Sequence, residues 1–177
     1  MKVQKPTFEE AINFSMVWCN AWQDGELSDE VLADKIGELL KTSQGARGFL
    51  AIGLASDCPL MDRLPDSIIF QLRAAGDLIV DLVARNLAMS TAMSINHIRN
   101  KDDSQRDSSL RVSDRCIELL KVLDPNKVKI RLETLIDGIE SKGPDVDFLK
   151  KWGYDKEQKI AIASKVNSIG GKNYKGG

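Results

Sequence analysis

Apolar side chains in the middle of the chain recur with the period of an α-helix. At about 100° per residue, one stripe after Asp66 holds Ile68, Leu72, Ala75, Ile79, Leu82 and Val83. The opposite side holds charged residues at intervals of four, namely Arg73, Asp77, Asp81 and Arg85. This pattern predicts one long helix over about residues 67–100, with one buried and one solvated side.

The other segments also carry helix start and stop signals. Thr7 and Glu10 fit a capping box, Ser28 begins a second helix, and Asp124-Pro125 begins another. No segment shows the strict alternation that is typical of strands. We therefore expect an all-α fold of about seven or eight helices around the long central helix. We expect one domain over residues 1–169 and a flexible C-terminal tail over residues 170–177.

A glycine-rich stretch, TSQGARGFLAIGLASD at residues 42–57, permits more than one interpretation. A phosphate-binding loop would need Lys and Ser or Thr directly after its last glycine, but Gly48 is followed by Phe49 and Leu50. The small residues recur at helical intervals and favour a helix that a neighbouring helix approaches closely. A buried strand and an anion-binding loop remain alternatives, and in the loop Arg47 would contact the anion.

Composition and charge argue against several classes of protein and several kinds of binding site. The chain has 177 residues and a formal net charge of −1, so no basic excess indicates nucleic-acid binding. Its three cysteines, Cys19, Cys58 and Cys116, are far apart, and we expect them to be reduced and buried. We expect no metal ion and no cofactor. The N-terminus lacks a signal peptide and no apolar run is long enough for a membrane span, so a cytoplasmic protein is predicted.

The second half of the predicted long helix changes character. Beyond Val83 the positions of the apolar stripe are occupied by Asn86, Ser90, Met93 and His97, and three of these four residues are polar. An unpaired polar group costs about 1–3 kcal/mol when it is buried. These residues therefore either lie in the core with their hydrogen bonds made, or lie at a helix end that is exposed to solvent. The alternative is a polar pocket lined by Asn86, Ser90 and His97.

The first helix carries an aromatic line. Phe14, Trp18 and Trp22 follow one another at intervals of four, while Phe8 and Ile12 lie on another side. Burial in the core explains such a line most simply. The alternative is an interface with a protein partner or with a second copy of the chain, because tryptophan is typical of binding hot spots.

No nucleophile with an adjacent base is apparent, so the sequence favours a non-enzymatic role. The predicted function is protein–protein interaction or self-association as a homodimer, in an adaptor, assembly or regulatory role. The alternative is a small-molecule-binding regulatory domain that uses the polar pocket. A less favoured alternative is an enzyme that uses the carboxylates of the proline-bracketed loop 57–66 together with Arg47.

Several long stretches resemble a family of uncharacterised, all-helical proteins associated with cyanobacteria. They are SQGARGFLAIGLASDCPLMDRLPD (43–66), LIVDLVARNLAMSTAMSINH (78–97), CIELLKVLDP (116–125) and FLKKWGYDKEQK (148–159). The resemblance spans about residues 8–165. It implies a cytoplasmic setting in a photosynthetic bacterium, and it implies no activity and no functional residue.

Overall fold

The computed structural model describes residues 5–170, and within this range it contains nine α-helices, a short 3-10 helix and no strand. The prediction of an all-α fold is therefore confirmed. The helices are α1 (Phe8–Gln23), α2 (Asp29–Leu39), α3 (Ser43–Ala55), α4 (Asp66–Ala74), α5 (Asp77–Arg99), α6 (Asp103–Val122), α7 (Pro125–Ile139), α8 (Asp145–Lys151) and α9 (Lys156–Asn167), and the 3-10 helix spans Pro59–Asp62.

The chain divides into two compact units, Met1–Leu82 and Val83–Gly177, with the division inside α5. The first unit contains α1 to α4 and the start of α5, and the second contains the rest of α5 and the helices that follow. The single domain over residues 1–169 stays a prediction. Most of the predicted tail, residues 171–177, lies outside the described residues.

The long helix begins at Asp77 rather than near residue 67. Gly76 has a φ of 62°, which is in the left-handed region. The N–H of Gly76 donates to the carbonyl of Arg73 at 3.1 Å, and this bond closes the last turn of α4. Glycine commonly ends helices in this conformation. The expected long helix is therefore two helices, and the apolar period conceals the break because it continues on both sides.

The glycine-rich stretch forms helix α3, which confirms the helical interpretation. The Thr42 hydroxyl caps this helix by accepting the N–H of Gly45 at 3.1 Å. At Gly48 helix α1 comes so close that an added Cβ would overlap the Cβ of Ala11 and lie 3.0 Å from the backbone nitrogen of Ile12. The absence of a side chain at Gly48 therefore sets how closely α1 and α3 pack.

In the second unit, a buried ion pair connects α7 to the start of α8. The guanidinium of Arg131 meets the carboxylate of Asp145 in two hydrogen bonds of 2.5 and 3.2 Å. The Arg131 side chain is 13% exposed and the Asp145 side chain 6%. An added Cβ on Gly138 would lie 2.8 Å from the Cβ of Asp145, so glycine again permits the close approach.

Helix α5 is the one helix among residues 5–170 that is long and apolar enough to cross a membrane, by length and composition alone. More than half of its most apolar window is buried within the protein. A buried core helix has the same length and composition, so this feature is weak evidence for a membrane span.

We expect Gly48→Ala to lower the free energy of unfolding by about 1–2 kcal/mol, because overpacking against α1 exceeds the gain in helix propensity. Gly37→Ala in α2 is the matched control. A Cβ there meets only the flexible amide end of Gln71, 2.5 Å from its Oε1. Urea unfolding should show the control unchanged or slightly stabilised.

The double variant Ala11→Gly/Gly48→Ala moves one methyl group from α1 to α3 at the same crossing. Its loss of stability should be smaller than the sum of the two single losses. Additive losses would show that the close approach of α1 and α3 does not limit stability.

Arg131→Met should lower the free energy of unfolding by about 3–5 kcal/mol, because it leaves the carboxylate of Asp145 buried without its partner. Asp145→Asn should destabilise the unmodified chain but stabilise the Arg131→Met variant, since it then removes an uncompensated charge. Chemical denaturation of the four proteins measures this change of sign. Destabilisation by Asp145→Asn in both backgrounds would contradict the account.

Candidate functional site

Helix α1 is two-sided, and its aromatic line begins on the exposed side. Ala11, Ser15 and Cys19 are buried on the side that packs into the first unit. On the opposite side Phe14 is 42% exposed and Val17 is 63% exposed. The aromatic line of the sequence thus runs from exposed Phe14 to Trp18 and Trp22, which are half-buried.

The aromatic residues of this line contact one another and side chains of α2. The rings of Phe14 and Trp18 stack with their centroids 5.4 Å apart and their planes 9° from parallel. The ammonium group of Lys35 lies 5.2 Å from the centroid of the Trp18 ring. The indole N–H of Trp22 donates to Asp29 at 2.7 Å. The rings are therefore ordered before any partner arrives.

Helix α2 adds an apolar residue and a row of acidic residues beside this line. Val31 is 44% exposed and lies one turn before Lys35, on the same side of the helix. Glu30, Asp34 and Glu38 follow at intervals of four and are all exposed. We call Phe14, Val17, Trp18 and Val31, together with this acidic row, the α1–α2 surface.

Arg47 lies on α3, where its exposed guanidinium is 5.5 Å from the centroid of the Phe8 ring. The backbone N–H groups of Gly45 and Ala46 donate to the Thr42 hydroxyl and carbonyl. These two N–H groups cap and begin a helix instead of lining an anion-binding loop. Arg47 as an anion contact stays a prediction.

The proline-bracketed loop places its charged residues on the surface. Its exposed charged side chains are Asp57, Asp62, Arg63 and Asp66. Leu60 and Met61 from the 3-10 helix are buried and anchor the loop. Within residues 5–170, no three side chains of His, Cys, Asp or Glu gather in a way that could hold a metal ion.

The three pocket candidates lie on one side of α5 but are spread along it. Asn86 and His97 are half-buried and eleven residues apart, which is about 16 Å along a helix. The hydroxyl of Ser90 is buried and donates to the carbonyls of Asn86 and Leu87 at 2.7 and 3.3 Å. Ser90 is thus satisfied by its own helix, and the spacing is large for a pocket around one small molecule.

Much of the polarity in this half of α5 serves to position the start of α9. The side-chain amide of Gln158 is buried and donates to the carbonyl of Ala92 and to Oδ1 of Asn96, both at 3.1 Å. The guanidinium of Arg99 bridges Asp155 at 2.8 Å and Glu157 at 2.7 Å. Asn96 and Arg99 of α5 therefore fix the position of the start of α9 through their side chains.

Sequence reasoning missed Gln158 and Arg99, although one signal was available. Asp155 and Gln158 have the spacing of a capping box, and both of its hydrogen bonds form. The sequence does not reveal that the same glutamine also reaches α5. The hydroxyl of Thr91 was also missed, and it is buried without a hydrogen-bond partner among the described residues.

Comparison with known proteins gives one match. The family model described as Uncharacterised conserved protein UCP020893 matches residues 7–169. No curated protein and no solved structure matches the chain.

The ion pair of Arg99 with Asp155 makes the free energy of unfolding depend on pH under acidic conditions. The guanidinium of Arg99, followed by the N–H of Gln158, lowers the pKa of Asp155 below the usual 3.8. Ionised Asp155 therefore stabilises the folded protein at pH values above the usual pKa of 3.8. This stabilisation is lost as the pH falls through the lowered pKa of the folded protein. We expect Arg99→Gln to destabilise the protein at neutral pH and progressively less below about pH 4.

Urea unfolding of both proteins between neutral pH and pH 3 checks this expectation. Asp155→Asn is the matched background, because asparagine retains the helix cap without the charge. There Arg99→Gln should have a smaller effect, which would come from the remaining contact with Glu157. Stability curves that stay parallel down to pH 3 would contradict the assignment.

Proposed function

This chain belongs to the family described as Uncharacterised conserved protein UCP020893, and we propose that it is a non-enzymatic protein that works by binding another protein. We place the binding site on the α1–α2 surface. The observation that carries the proposal is the exposed aromatic line of α1, whose rings are stacked and held by side chains of α2.

The ordered arrangement of these rings favours a role in binding a partner. A partner that covers Phe14, Val17 and Trp18 removes a contiguous apolar area from water, and such contiguous patches on a protein surface typically mark interaction sites. Because Phe14 and Trp18 already stack on each other, little side-chain freedom is lost on contact. Aromatic residues of this kind are typical centres of protein interfaces.

The charges around the surface favour a basic partner. Residues 1–82 contain 13 acidic and 7 basic side chains, a formal net charge of −6. The acidic row of α2 contributes to this charge, and Glu38 of the row forms an ion pair with Lys41 at 2.7 Å. The complementary partner is an amphipathic helix with apolar residues on one side and lysine or arginine on its flanks, which would place its apolar side on the α1–α2 surface.

We also propose that the protein acts in the cytoplasm of a photosynthetic bacterium. This part of the proposal rests on the resemblance of four long stretches to proteins associated with cyanobacteria. A second copy of the chain is the other occupant that the α1–α2 surface could receive, and the experiment below distinguishes it from a foreign partner.

Calorimetric titration of the chain with two synthetic amphipathic helices tests the proposal. One helix carries leucine and lysine and the other leucine and glutamate, and we expect only the first to bind. Phe14→Ser/Val17→Ser should weaken this binding at least about tenfold, or 1.4 kcal/mol. Glu30→Gln/Asp34→Asn/Glu38→Gln should weaken it and reduce its dependence on salt.

Ile130→Ser is the matched control, because Ile130 is 66% exposed on α7 in the other unit. It should leave the peptide affinity unchanged. Light scattering of the chain alone identifies self-association, and a dimer abolished by Phe14→Ser/Val17→Ser would make a second copy the occupant. Unchanged affinity of the leucine–lysine peptide for that double variant would refute the proposed surface.

A further inference from the structure

Two of the three cysteines meet inside the first unit. Cys19 lies on the buried side of α1, and Cys58 immediately precedes the 3-10 helix, 39 residues along the chain. The thiol of Cys58 donates to the carbonyl oxygen of Cys19 at 3.8 Å, which places the Cys58 sulfur against the backbone of Cys19. Both cysteines are reduced and buried, with 2% and 5% of their surfaces exposed.

We propose that Cys19 and Cys58 are a modification site, at which a low-molecular-weight disulfide such as oxidised glutathione converts the two thiols into a reversible intramolecular disulfide. Neither the binding function proposed above nor the family description implies this chemistry. It involves the buried side of α1, and the α1–α2 surface is on the exposed side.

The backbone around Cys58 favours closure of this bond. Cys58 is not part of a helix, since it has a φ of −59° and a ψ of 127°. Its N–H is held by the hydroxyl of Ser56 at 3.3 Å rather than by a helical carbonyl. A disulfide needs particular Cα and Cβ separations, and a connecting segment adjusts to them more easily than two rigid helices do.

The reaction with oxidised glutathione is balanced without a further oxidant. Because both thiols are buried, the reaction requires the connecting segment around Cys58 to open to solvent. The thiolate of Cys58 then attacks one glutathione sulfur, which forms a mixed disulfide and releases one glutathione thiolate. The Cys19 sulfur then gives up its proton and attacks the Cys58 sulfur, which releases the second glutathione. Two protein thiols lose two electrons and two protons, and oxidised glutathione gains both as two thiols.

Burial of Cys19 in a helix disfavours it as the first nucleophile, whereas Cys58 lies in the connecting segment outside the helices. Burial, followed by the charge and the hydrogen bond of Cys58, raises the pKa of Cys19 to about 12. Cys19 is therefore a poor first nucleophile at neutral pH. Once the Cys58 sulfur is part of a mixed disulfide, it carries no negative charge, and that cause of the raised pKa disappears.

Incubation of the full-length, reduced chain with oxidised glutathione at neutral pH tests the proposal. Intact mass should fall by two hydrogen atoms, and proteolytic mapping without reductant should show one peptide pair joined through Cys19 and Cys58. The melting temperature should rise, because the bond closes a long loop of the unfolded chain. Dithiothreitol should reverse both the mass change and the rise in melting temperature.

Cys116, buried in α6 of the other unit, provides the matched variant. Cys116→Ser should form the same disulfide at the same rate, whereas Cys58→Ser should form none. Mapping of the unmodified chain makes the test independent of how the variants fold. A chain that remains reduced, stops at a glutathione adduct, or joins either cysteine to Cys116 under native conditions would overturn the proposal.

Discussion

The first unit depends on the contact of α1 with Gly48, where α3 has no side chain. This contact places Ala11, Ser15 and Cys19 of α1 against the rest of the unit and so fixes which side of α1 is buried. The exposed aromatic line is the geometric consequence, since Phe14 and Val17 lie on the opposite side. The same contact places Cys19 near the segment that follows α3, where Cys58 lies. The close contact of α1 and α3 at Gly48 is thereby linked to the position of both the proposed binding surface and the proposed disulfide.

In the second unit, polar side chains position the helices as much as apolar ones do. Gln158 and Arg99 connect α9 to α5, and the pair Arg131–Asp145 connects α7 to α8. Arginine, aspartate and glutamine in such a pattern would ordinarily suggest a binding or catalytic site. Here their hydrogen bonds are made to neighbouring helices, so the polar residues of this unit specify how its helices pack.

The sequence predicted the fold class well, because helix caps and apolar period are local signals. Thr7, Ser28 and Asp124 all cap the helices that the sequence predicted to begin there. The break at Gly76 was missed because glycine is compatible with both a helix interior and a helix end, and the apolar stripe does not change there. Periodicity also shows that α1 has an aromatic side but not whether that side faces the core, which depends on the distant residue Gly48. The Cys19–Cys58 contact is equally non-local, so spacing along the chain gave no sign of it.

The two tryptophans of α1 differ in a way that reaches beyond packing. The face of the Trp18 ring lies beneath an ammonium group, whereas the N–H of Trp22 is bound to a carboxylate. Indole emission responds to nearby charge and to hydrogen bonding, so the two rings emit from different electrostatic surroundings. A molecule that displaces Lys35 from Trp18 removes the ammonium group from one of the two rings. Tryptophan fluorescence should therefore change when a molecule binds to this part of α1.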